Sequence, residues 1–243
     1  MVLLLLLFTS PALLAAWSDW RQKIEDVLST ETPAGVEATQ LSQDEIVAGL
    51  KEALQVGVER ATSLLGQKGG FLNDAAVKIP LPEPLKKVER GLRAVGQDAV
   101  VDEFVMSMNR AAEKAVPEAT SILADTIKNM SLRDARSILN GPDDAATQYF
   151  RAQNEARLTD AVLPIVKDTT AEAGVTSSYK RMTGKLGPLA QFADMDRLDL
   201  DQYIAGKTLD GLFLKLAQEE KRIREDPVAR STELLKKVFA SSR

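Results

Sequence analysis

The sequence predicts an all-α fold: a single multi-helix domain of about seven to nine helices, several kinked or ended by proline. Two observations carry that expectation. Apolar residues return at three-, four- and seven-residue steps over long stretches, as in Leu209, Leu212, Phe213, Leu216 and Ile223, which form one stripe on a helix. Helix-opening and helix-closing residues bracket such stretches. Ser131-Leu-Arg-Asp134 opens one, and Asn140-Gly141-Pro142 closes it.

Three segments follow from the order of these signals: a signal peptide over 1–18, a leader helix and linker over 19–41, and an all-helical domain over 42–240. Met1–Ala16 carries the unbroken apolar run Val2–Phe8, then Thr9-Ser10-Pro11 and small residues, which is the pattern of a secretory signal. A cut after Ser18 puts Ala16 at the position that wants a small residue. Roughly 20 apolar residues are needed to span a membrane, and Pro11 interrupts this run. Export to the periplasm or the exterior is therefore expected. Trp17, Trp20, Ile24, Val27 and Leu28 make one side of a short amphipathic helix, which either touches a membrane surface peripherally or docks on its own domain. Thr30–Gln40 reads as linker.

The domain opens at the capping box Ser42-Gln-Asp-Glu45, and its first helix runs to about Leu65. Ile46, Leu50, Leu54, Val58, Leu64 and Leu65 supply its bulk. Gly49, Ala53, Gly57 and Ala61 form a line of small residues at four-residue spacing. Glycine is costly inside a helix, so this line marks either close packing of another helix or a groove that takes a ligand. Gly66–Pro84 is irregular, with a turn at Gly69-Gly70 and an extended path forced by Pro80, Pro82 and Pro84, and is expected to cross the end of the bundle.

Leu85–Val95 is a short helix ended by Gly96. Gln97–Val116 follows with the stripe Val100, Val101, Phe104, Val105, Met108, Ala111, Ala112 and Ala115. Pro117 kinks or restarts it, and Ile122, Leu123, Ile127 and Met130 carry the pattern on. Met106, Met108 and Met130 are either ordinary core or the lining of a soft apolar cavity. Asp144–Ala173 is a long helix interrupted at Pro164, with Tyr149, Phe150, Ala156, Ala161, Val162, Ile165 and Val166 expected inward. Lys207–Phe239 reads as helix, stop at Asp226-Pro227, and closing helix anchored by Leu234, Leu235, Val238 and Phe239.

Composition narrows the chemistry. The 31 basic and 35 acidic residues are interspersed, for a net charge of −4, and aromatics make up 5%. Bulk nucleic-acid binding needs a basic face or stacking platforms, so it is not expected. The chain has no histidine and no cysteine. This removes the usual general base, the Ser-His-Asp arrangement, thiol nucleophiles, disulfides and the commonest zinc ligands. No catalytic residue, cofactor or metal is expected, and the chain reads as a non-enzyme.

Three clusters still bear on chemistry. Asp194, Asp196, Asp199 and Asp201 are oxygen-rich but lack the glycine and closing glutamate of an EF-hand, and Asp199 or Asp201 is more simply a helix cap. Ser177 and Lys180 have the spacing of a Ser-x-x-Lys nucleophile without its partner motifs. Asp143-Asp144 and Glu219-Glu220 are adjacent pairs whose members point apart on a helix, and solvated charge accounts for them.

Several longer segments resemble a known family. Ile79-Pro-Leu-Pro-Glu-Pro-Leu85, Asp102-Glu-Phe-Val with Ser107-Met-Asn-Arg-Ala-Ala112, Leu209-Asp-Gly-Leu-Phe213, and Glu219-Glu-Lys-Arg-Ile-Arg224 through Leu234-Leu-Lys-Lys-Val-Phe239 resemble the bacterial domain-of-unknown-function family 4197. The resemblance spans roughly Ser42 to Phe239. It implies an exported, mostly helical bacterial protein and brings no activity, ligand or catalytic residue.

The leading functional expectation is a non-catalytic exported protein that holds an apolar ligand such as a lipid, or a partner helix, on a face formed by Gly49, Ala53, Gly57, Phe104 and Met108. The alternative is a structural or envelope-associated protein–protein interaction domain with a packed core. An enzyme using carboxylates and lysine alone is a distant third.

Overall fold

The computed structural model describes residues 43–172, 174–185 and 199–225. The leader, the capping serine Ser42, Asp194, Asp196 and the closing helix expected after Asp226-Pro227 lie outside the described residues. All regular structure in the described residues is helical, and the fold is all-α. In chain order the α-helices are α1 (Gln43–Gly66), α2 (Lys86–Ala94), α3 (Asp98–Ala115), α4 (Ala119–Lys128), α5 (Leu132–Leu139), α6 (Ala145–Glu172), α7 (Val175–Gly184) and α8 (Leu200–Glu225). Short 3-10 turns, Glu83–Leu85 and Val116–Glu118, lead into α2 and α4. No described helix is long and apolar enough to cross a membrane.

The helices end where backbone chemistry requires. Ser131 accepts the Asp134 N–H at 3.2 Å while Asp134 accepts the Ser131 N–H at 3.1 Å, the reciprocal cap that starts α5. Asp199 accepts the Gln202 N–H at 2.9 Å, so its role is to cap α8. That helix begins two turns before the expected Lys207. Pro117 turns the chain through its 3-10 segment, so α3 restarts as α4. Pro164, by contrast, lies inside α6 without ending it. It sits on the exposed face, as does Asp160, whose carbonyl it deprives of a donor, so water can take that bond.

The core forms where α8 packs on α1, α3 and α6, with α6 also on α3 and α4, and α7 on α3. Leu50, Leu65, Phe104, Met108, Phe150, Leu158 and Ile204 are among the fully enclosed side chains. Three positions differ from the expected pattern. Ala156 is exposed and Leu158 takes the inward place on α6, while Leu64 is 41% exposed at the end of α1.

The proline-bearing connection departs further from expectation. Residues 67–82 do not merely cross the bundle end. They form a strap that is fixed to α3 on one side and α8 on the other, and Phe71, Val77, Ile79 and Leu81 are buried. Gly69 turns the strap at φ 87°, a conformation costly for side-chain-bearing residues. Gly211 on α8 lets it approach. A Cβ there would lie 2.7 Å from Phe71 Cε1 and 3.3 Å from Val77 Cβ.

Two glycines of α8 should therefore respond oppositely to alanine. A Cβ on Gly206 meets nothing within 4 Å, so Gly206→Ala is expected to stabilise the domain by about 0.5–1 kcal/mol through helix propensity. Gly211→Ala should destabilise it by about 1–3 kcal/mol, because the enclosed Phe71 cannot retreat. Urea unfolding midpoints test both. Equal shifts of one sign would refute the close approach.

Candidate functional site

The residues singled out as a binding face fall into two separate settings. Gly49, Ala53 and Gly57 are buried on α1. A Cβ on Gly57 would lie 3.8 Å from Ile223 Cδ1 and 4.0 Å from Glu219 Cβ, ordinary contact distances, so α8 packs against α1 at Gly57. The void beneath them is bounded by Ala53, Leu54, Gly57, Phe150, Leu216 and Ile223 among others, and holds about 20 Å³. That is room for about one water, against the several hundred Å³ of a typical ligand pocket. Phe104 and Met108 are enclosed on α3, and neither lines that void. Phe104 packs on Tyr179 of α7, ring centroids 5.6 Å apart.

Of the two acidic pairs expected in solvent, Asp143-Asp144 stays at the surface, with Asp143 exposed, and Glu219-Glu220 is drawn inside. Glu220 is only 7% exposed. It interrupts the apolar stripe of α8 because its carboxylate caps another helix. It accepts the N–H groups of Ala146 and Thr147 at 2.9 and 3.0 Å and the Thr147 hydroxyl at 3.0 Å, at the start of α6. Arg224, one turn on, donates to Glu220 at 2.9 Å and to the Ile138 carbonyl at 2.8 Å in the last turn of α5. One Glu–Arg pair thus serves the two helix ends that flank the α5–α6 turn, each with the charge its dipole prefers. Glu219 is buried too, and bonds Arg222 at 2.7 Å and Arg60 at 3.4 Å. The solvated-charge reading of Glu219-Glu220 is therefore corrected: both carboxylates are buried and ion-paired.

On α3 a second pair fixes the strap. Asn109 accepts the Ile79 N–H at 2.8 Å and donates to the Ile79 carbonyl at 2.9 Å, so it stands in for a neighbouring strand. One turn later, Glu113 accepts the N–H groups of Phe71 and Leu72 at 3.1 and 3.2 Å. From α8, Tyr203 donates to the Pro80 carbonyl at 3.0 Å, and Lys215 pairs with Asp74 at 2.5 Å. Turns within the strap pair the N–H groups of Gly70, Asn73, Asp74, Val77 and Lys78, whereas those of Phe71, Leu72 and Ile79 are met by α3, and buried backbone groups left unpaired cost about 1–3 kcal/mol each. Asn109 and Glu113 were not singled out by sequence reasoning. The available signal was two polar residues four apart inside the apolar stripe of α3.

The clusters weighed for chemistry take ordinary structural places. Ser177 donates to the Gly174 carbonyl at 2.9 Å, and Lys180 is exposed. Asp201 accepts the Thr170 hydroxyl at 2.8 Å. Among the described residues no group of acids is placed to hold a metal ion. The perturbed titrations have structural causes. A hydrogen bond from Lys215, then one from the Ala76 N–H, hold Asp74 below its usual range. Hydrogen bonds from Ser131 do the same for Asp134. Burial, then the Glu83 charge, push Tyr203 up.

A family model described as a protein of unknown function, DUF4197, matches residues 40–240. The chain belongs to this family. No curated protein and no solved structure matches it. The DUF4197 match spans every described residue, so the strap and both polar pairs belong to the family domain. The segments that carry the resemblance build these features: Ile79–Leu85 covers the end of the strap, Ser107–Ala112 holds Asn109, Leu209–Phe213 holds Gly211, and Glu219–Arg224 holds the Glu–Arg pair.

Two measurements check this geometry. Asn109→Asp keeps the shape but cannot donate to the Ile79 carbonyl, and should cost about 1–3 kcal/mol from the orphaned carbonyl alone. A variant as stable as wild type in urea would remove the strap contact from consideration. The second is the pH profile of stability. Raised in the folded state, Tyr203 contributes stability that is complete below its ordinary value of 10.0 and is lost as pH rises through its folded value. Lowered, Asp74 contributes stability that is complete above its ordinary value of 3.8 and is lost as pH falls through its folded value. Tyr203→Phe should flatten the alkaline limb and Asp74→Asn the acid limb, each without moving the other.

Proposed function

We propose that this DUF4197 protein is an exported, non-catalytic interaction domain with a packed core, which meets a protein partner through its outer surface. The observation that supports it is the packing of α8 against Ala53 and Gly57, with a void of about 20 Å³ on a face expected to hold an apolar ligand. Geometry thus favours a helix-packing role for that line over a lipid-binding one. The buried carboxylates Glu113, Glu219 and Glu220 are engaged by backbone N–H groups or arginines, which speaks for structure over acid–base work. Support for export comes from the signal-like run Val2–Phe8 and the small residues after it.

Native mass spectrometry of the full chain, expressed with its leader and purified gently from the exported fraction, tests the proposal. The expected species has the mass of the chain cut after Ser18, carries no small-molecule adduct, and crosslinks to protein. A stoichiometric adduct of lipid-like mass that survives gentle desolvation would overturn it in favour of ligand binding. Retention of the uncut chain inside the cell would remove the export component.

A further inference from the structure

We draw no further inference here: the strongest candidate, the open groove between the end of α1, the strap and α8 lined by Leu64, Gly69, Asp74 and Lys215, is a partly apolar surface with nothing in the structure to show what covers it.

Discussion

Buried backbone that no helix can satisfy is the constraint on which this domain depends. Within a helix each N–H and C=O finds a partner from the same segment. The strap and the helix ends lack that provision, yet they lie against the core. The domain meets the need with side chains from the two central helices. Asn109 and Glu113 of α3 serve the strap, while Glu220 and Arg224 of α8 serve the α5–α6 corner. At the surface, Lys51 of α1 caps α4 by donating to the Lys128 carbonyl at 2.9 Å. Each contact joins an element to one distant in sequence, so these groups fix tertiary arrangement more than local helix stability.

Close packing and polar capping are linked. The strap reaches Asn109 and Glu113 only because Gly211 lets the Phe71 ring lie against α8. At Gly57 the approach of α8 is looser, with room for a Cβ at ordinary contact distance beside the face that bears Glu219 and Ile223. A side chain at Gly211 would push the Phe71 ring away and strain the caps that α3 gives the strap. Interiors packed this densely tolerate changes of shape poorly.

The periodic stripes revealed most of the helices, and Gly96, Asn140-Gly141 and Pro117 revealed most of their boundaries. These depend on neighbours in the chain. What stayed hidden depends on partners far away. Gly69-Gly70 announced a turn and Pro80, Pro82 and Pro84 an extended path, but the burial of the strap required Asn109, some 30 residues on from Ile79, and Tyr203, on the last described helix. Glu220 was visible as the one polar break in its stripe. Adjacent-pair reasoning sent it to solvent because the N–H groups it serves belong to α6. The small-residue line on α1 was legible as a close-approach surface, while its occupant, α8, was not. On α6, Phe150, Val162 and Val166 face inward as expected, but Ala156 is exposed and the bulkier Leu158 fills the core instead.

The strap also sets an order of events. Its side chains come from the first third of the domain, but Tyr203, Lys215 and the Gly211 surface come from α8, the last described helix, and the Tyr203–Pro80 bond closes a separation of 123 residues. Helices α1 to α7 can be made in sequence, yet buried positions of the strap remain uncovered until α8 arrives. Contacts of such long range slow folding and favour late, concerted completion over stepwise assembly. A chain of this design stays loose through most of its synthesis and tightens when α8 docks.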